Sequence, residues 1–154
     1  MEKSMELMND KELRIGNHVG MDFTGKVEVA TVTGVGYKNN EPIIYYWPQA
    51  ISDIEEIKGK HYDDIYSLMP YVEPILIIRD LLFNMGFAWR DHAEDYFLEI
   101  DDIKFSVAIF KSGCVDCYVE EGTVYTCVAY NIKYIHTLQN IIFSLSRKEV
   151  TLTL

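Results

Sequence analysis

The stretch Asn131-Ile-Lys-Tyr-Ile-His-Thr-Leu-Gln-Asn-Ile-Ile-Phe-Ser-Leu-Ser-Arg147 decides how this chain is read. At about 100° per residue, Tyr134, Ile135, Leu138, Ile141, Ile142 and Leu145 fall within one arc of roughly 120°. Lys133, Thr137, Asn140, Ser144 and Arg147 fall on the opposite side. The spacing predicts an amphipathic helix over 132–146, and an apolar stripe of that width needs a surface to cover. Between the two arcs lie His136, Gln139 and Phe143, stacked at i, i+3 and i+7. With Asn140 they are the candidate binding residues of the chain.

The surface for that helix stands upstream, where the period changes to two. Phe87-Ala-Trp89 leads into a polar turn at Arg90–Glu94, and Tyr96–Ile100 reads as a strand. Asp101-Asp102 turn the chain. Phe105, Val107 and Ile109 alternate with Ser106, Ala108 and Phe110, and Ser112-Gly113 ends that strand. Cys114–Glu120 and Thr123–Ala129 follow, parted by Gly122. An antiparallel sheet of three to five strands is expected, with the closing helix across it and Thr151–Leu154 as a short edge strand. Ahead of the sheet, Pro74 opens a predicted helix that runs from Ile75 to Met85, with Gly86 as a left-handed cap. Apolar residues surround most of that helix, so it is expected to be buried between two subdomains.

The first half of the chain is β-rich. After a polar leader over 1–11, Glu12-Leu-Arg-Ile-Gly-Asn17 alternates as a half-buried strand that runs on toward Met21. Thr24-Gly25-Lys26 reads as a turn, and Val27–Thr33 as a second strand rich in β-branched residues. Gly34, Gly36 and Lys38-Asn39-Asn40 break it; Ile43–Trp47 makes a third strand, closed by Pro48. Such a meander suggests a small SH3-like barrel. Residues 50–72 carry little periodicity, with Asp64–Met69 as a closing strand. The fold class expected is α+β, with a β-meander subdomain at 12–70 and an α+β subdomain at 71–154.

Composition narrows the function. Twenty-four acidic and fourteen basic side chains give a net charge of −10 over 154 residues. That sign repels a phosphate backbone, so direct nucleic-acid binding is disfavoured. An acidic surface instead suits a basic partner, or imitates DNA. No apolar run approaches the ~18 residues of a membrane span, and the first residues lack the apolar centre of a signal peptide. Three cysteines, an odd number, argue for reduced thiols and a cytoplasmic location.

Two clusters carry chemistry. Cys114-Val-Asp-Cys117 has the spacing of half a zinc site, which Cys127 and His136 would complete. Only one such knuckle is present, and Asp116 between the cysteines raises the thiol pKa that redox work needs lowered. Plain sheet cysteines are the simpler reading. Asp91-His92-Ala-Glu94-Asp95 gathers titratable groups where a hairpin turn is needed, and turns favour Asp. From Arg90 to Glu121 nine acids face three bases, a net of −6; from Gly122 onward the net is +2. No P-loop, dinucleotide fingerprint or nucleophile motif is present.

Three segments in order, Glu12-Leu-Arg-Ile-Gly-Asn17, Glu73-Pro-Ile with Gly86-Phe87, and Tyr134-Ile-His-Thr-Leu-Gln-Asn140 with Phe143 and Leu145, resemble one family. It is a family of small uncharacterised proteins of gut Bacteroidetes and their phages or mobile elements, with an E-L-R-I-G-N start and a K-Y-V-H-x-L-Q-N closing helix. Pro74-Ile-Leu departs from the family's P-L-T helix start. Residues 47–72 and the Cys114-Cys117 pair have no counterpart in it. The resemblance implies no activity and transfers no catalytic residue; it implies that Tyr134, His136, Gln139 and Asn140 share a task.

The function expected is therefore a non-catalytic protein-binding or accessory module of phage or mobile-element origin, without cofactor or metal. Its binding surface is the flank of His136, Gln139, Asn140 and Phe143, its partner a protein, and a homo-oligomer is compatible with it. The alternatives are a metal-dependent protein or enzyme using Cys114, Cys117, Cys127 and His136, and an acidic DNA mimic.

Overall fold

A computed structural model of the chain describes residues 13–22, 27–48, 66–68 and 72–152. The expected leader, the turn at 24–26, most of 50–72 and the end of the 151–154 strand lie outside the described residues. The protein is α+β and divides into two compact units, 1–75 and 76–154.

The first unit is an antiparallel sheet of β1 (His18–Asp22), β2 (Val27–Lys38), β3 (Glu41–Pro48), β4 (Tyr66–Leu68) and β5 (Val72–Glu73). Its order is β4-β3-β2-β1-β5. The last strand therefore returns to the first, with Val72 opposite Met21. Alternate residues make the core: Val19 and Met21 of β1, Ala30 and Val32 of β2, Ile44 and Tyr46 of β3, joined by Leu13 and Val72. β4 and β5 end the sheet at opposite edges, so among the described residues it is an open sheet and not a closed barrel.

Two expectations change here. Residues 14–17 form a turn, not a strand, because Gly16 takes a φ of +94° that only glycine adopts readily. The Asn17 side chain closes that turn by accepting the Arg14 N–H at 2.7 Å, and Gly16 N–H donates to the Val32 carbonyl. Gly34 and Gly36 do not end β2; the strand runs through them to Lys38 with a bulge between Val32 and Gly34. They lie beside the Tyr45 ring, and a Cβ at Gly34 would stand 3.2 Å from it. The hairpin turn comes at Asn39 and Asn40, both left-handed, as a two-residue type I′ turn requires.

The second unit begins with α1 (Arg79–Asn84), followed by β6 (Ala88–Arg90), β7 (Asp95–Ile100), β8 (Ile103–Ile109), β9 (Val115–Glu121), β10 (Val124–Ile132) and α2 (Ile135–Ser146). The five strands lie in the order β10-β9-β8-β7-β6, each antiparallel to the next. Asp101 and Asp102 are both left-handed and make the tight β7–β8 turn. One face of the sheet buries Tyr96, Phe105, Val107, Val115 and Cys117, and α2 buries Ile135, Leu138 and Ile142. These are the two apolar surfaces of one core, each large side chain contributing about 1.5–3 kcal/mol on burial. α1 reaches the same face through Phe83, which meets the Tyr96 ring edge-on at 5.6 Å.

α1 is shorter than its apolar run. Residues 75–78 are extended: Leu76 bridges Tyr134, and Ile77 N–H donates to the Lys133 carbonyl at 2.8 Å. The β-branched isoleucines favour that extended pairing over a helix. Nor is the segment buried on most sides, since Leu76, Ile78 and Phe83 are exposed. Gly86 does take the left-handed cap, at φ +95°. Thr151 and Leu152 form no strand. Among the described residues no helix is long and apolar enough to cross a membrane.

Candidate functional site

The strand register of the second unit separates two faces. Opposite the core face stand Arg90 of β6, Asp95, Phe97 and Glu99 of β7, Lys104, Ser106 and Ala108 of β8, Asp116, Tyr118 and Glu120 of β9, and Tyr125 and Cys127 of β10. This open face is polar, yet part of it is withdrawn from water. Arg90 lies over the Phe97 ring, 4.4 Å from its centroid, and joins two carboxylates. Its Nε and Nη2 donate to Asp95 at 2.8 and 2.6 Å, and its Nη1 donates to both Glu120 oxygens at 3.1 and 2.9 Å. The Ser106 hydroxyl donates to Asp95 Oδ2. Asp95 and Ser106 are buried. Four side chains from four adjacent strands thus satisfy one another across the sheet.

The electrostatics are those of a clamp. Burial pushes the Asp95 carboxyl up, but hydrogen bonds from Arg90 and Ser106 outweigh it and hold the group below its ordinary value. The hydrogen bond to Asp95 raises the Arg90 guanidinium despite its desolvation, so the pair stays charged. A carboxylate so occupied is a poor base, and Ser106 donates its proton to a group that will not take it. The arrangement binds strands together; it is not built for nucleophilic catalysis.

Beside the clamp is a cavity of about 410 Å3, lined by His92, Ala93, Asp95, Ser106, Ala108, Tyr118 and Tyr125. Tyr118 donates to Asp116 Oδ2 at 3.3 Å, and Asp116 Oδ1 accepts the Asn131 N–H at 2.8 Å. Burial and the Asp116 charge raise the Tyr118 phenol; a hydrogen bond to Glu120 does the same for Tyr125. Both hydroxyls remain protonated donors at neutral pH.

Tyr125 belongs to β10, the edge of the sheet, and β10 is the most exposed strand of the unit. Val124 is 60% exposed and Tyr130 80%, with Tyr125 and Val128 exposed between them. The strand carries no charged residue. Bulges interrupt its pairing between Cys127 and Ala129 and between Ala129 and Ile132, while Val124–Cys127 pairs regularly with β9. Among the described residues no strand pairs with the outer side of β10.

The expected binding residues sit elsewhere. His136 and Gln139 are each 1% exposed. Gln139 donates to the Val150 carbonyl at 2.7 Å, and the His136 ring stacks parallel on Tyr134 at 5.7 Å. Gln139 ties the closing helix to the segment that follows it, and His136 packs on the residue that opens the helix. Asn140 and Phe143 are half-buried at the margin of the same helix. The cysteines are dispersed in environment: Cys117 is buried, Cys114 half-buried and Cys127 exposed. Burial pushes the Cys117 thiol up to about 12, the wrong direction for a metal ligand. Among the described residues no three His, Cys, Asp or Glu side chains group as a metal site would. The 91–95 cluster is the β6–β7 turn followed by the first residue of β7, and only Asp95 is drawn into the clamp. Arg90 and Glu120 were missed by sequence because thirty residues separate them, and no local pattern marks an ion pair that spans four strands. Compared with known protein families, curated proteins and solved structures, the chain matches none.

Proposed function

We propose that this protein is a non-catalytic binding module that takes up an extended segment of a partner protein along the outer edge of β10. The observation that carries the reading is a nine-residue edge strand, free of charge and exposed on both faces, in a chain of net charge −10. Sheet edges of stable proteins are ordinarily guarded by Lys, Pro, bulges or brevity. The bulges guard only the C-terminal half of β10; Val124–Cys127 has none of these protections. Main-chain pairing to such an edge supplies affinity, and side chains alternating to the two faces supply selectivity. The Arg90 clamp holds β6, β7, β8 and β9 in one rigid template behind that edge.

In the first unit, β5 returning to β1 at the end of a meander supports an SH3-like reading, as an open variant of that barrel. A phage or mobile-element origin accords with the family resemblance, and an accessory role needs no catalytic residue.

The test is a display selection for peptide ligands of the whole chain. Ligands so obtained should lose at least tenfold in affinity for the double variant Val124→Lys/Thr126→Lys, and should slow amide exchange over 124–128. Ligands that bind wild type and variant equally would end this reading.

A further inference from the structure

We infer that the segment taken up by β10 is basic, with lysine or arginine at alternate positions that place their charges over the open face beside Tyr118 and Tyr125. The inference rests on the reading of β10 as an accepting edge. Register supplies the first step. Tyr125 stands opposite Glu120 and Cys127 opposite Tyr118, so both point to the open face, whereas Val124 and Thr126 point to the other. A strand added outside β10 follows the same alternation. Every second side chain of the partner then lies beside Tyr125 and Cys127, at the mouth of the cavity lined by Asp95, Ser106, Tyr118 and Tyr125.

Charge supplies the second. The carboxylates of this face, Asp95, Glu99, Asp116 and Glu120, outnumber its two cations: Arg90 is shared by Asp95 and Glu120, Lys104 of β8 stands opposite Glu99 and Glu120, and Asp116 stands opposite Ala108. The residues from Arg90 to Glu121 carry a net of −6, much of it in turns around the same sheet. A carboxylate brought here meets repulsion, and a second copy of this chain would bring its own six excess negative charges to the contact. A cation finds carboxylates together with two tyrosine rings able to face it. On the other face, Val124 offers an apolar contact, so the complementary partner alternates basic with apolar or β-branched residues.

The probes are two ten-residue peptides, one alternating lysine with valine and threonine, the other with glutamate in place of lysine, titrated against the full chain by fluorescence anisotropy. The lysine peptide should bind at least tenfold more tightly than the glutamate peptide at 50 mM salt, and lose that advantage near 500 mM, where screening shortens to a few ångströms. Asp116→Asn keeps the acceptor for Asn131 and removes one charge. It should weaken the lysine peptide about fivefold, the scale of one ion pair, with an unchanged melting temperature. Equal binding of both peptides, or none, overturns the basic partner. If both bind wild type equally and fail on Val124→Lys/Thr126→Lys, the edge reading survives alone. If the lysine peptide binds that variant as well as wild type, the edge reading itself fails. A concentration-dependent dimer in sedimentation, abolished by the same variant, would overturn the inference in favour of a second copy.

Discussion

β8 and β10 belong to one sheet, two places apart, and are built from nearly the same kinds of residue. β8, Ile-Lys-Phe-Ser-Val-Ala-Ile, has a neighbour on each side and buries Phe105 and Val107 completely. β10, Val-Tyr-Thr-Cys-Val-Ala-Tyr-Asn-Ile, has one neighbour and leaves Val124, Tyr125, Val128 and Tyr130 in solvent. The difference lies in position, which neither strand's own residues encode. What is unusual is the direction of the mismatch. The interior strand carries a lysine, the edge strand none, although an edge is where charge ordinarily protects against unwanted pairing. An uncharged strand left at an edge is the feature on which the proposed uptake of another chain rests.

The sharpest way to probe that comparison is through two thiols on paired strands. Cys117 of β9 is buried with its thiol raised to about 12, while Cys127 of β10 is exposed. At pH 8 Cys117 is almost wholly protonated and out of solvent. Iodoacetamide should therefore label the exposed Cys127 at least about a hundredfold faster than Cys117, as read by mass spectrometry of peptides. Comparable rates would mean that β9 is not an interior strand. Next in size is Phe105→Ala, which should lower unfolding free energy by about 3–5 kcal/mol in urea titrations because a fully buried ring leaves a cavity. A loss under 1 kcal/mol would show β8 to be no better packed than the edge.

The clamp gives a third, smaller effect with a pH signature. Asp95→Asn leaves Arg90 with Glu120 alone and should cost about 2 kcal/mol, less than breaking a fully enclosed pair because Arg90 keeps some solvent and a second carboxylate. The Asp95 carboxyl is held below its ordinary value, so the folded state binds its proton less readily than the unfolded state. Its contribution is complete above the unfolded pKa of about 3.9 and fades as pH falls through the lower folded value. Wild type should lose stability as pH falls below about 4, and Asp95→Asn should lack that part of the slope. Parallel curves for the two proteins would show that the clamp contributes no pH-linked stability.

How much of this was legible in the sequence follows from the range of each interaction. The strands after Phe87, the turn at Asp101-Asp102, the cap at Gly86 and the closing helix rest on local rules, and each was readable. The segment at 75–78 misled because its apolar residues fit a helix, whereas pairing with Lys133 and Tyr134, more than fifty residues away, holds it extended. Gly34 and Gly36 misled for a similar reason: their meaning depends on Tyr45 across the hairpin. The flank of α2 was distinctive as a string because His136 and Gln139 are polar at interior positions, which marks internal anchoring as readily as recognition. The β10 edge had no local mark at all.

That leaves the smallest expected effect, and the one that bears most directly on β10. Tyr130 is the most exposed large apolar side chain of the described residues. A ring that merely fills out a strand contributes through its cross-strand neighbours, at most about 1 kcal/mol; a ring standing in water contributes almost nothing to its own fold. Tyr130→Ser should therefore change unfolding free energy by less than about 0.5 kcal/mol, within the usual range for surface positions. It lies two residues beyond the bulge at Val128, past the regular Val124–Cys127 pairing, so peptide affinity should fall only slightly while the melting curve stays put. A large loss of stability would place Tyr130 within a core and remove the asymmetry between β8 and β10. Loss of binding with no loss of stability would extend the accepting edge through the bulge to the end of the strand.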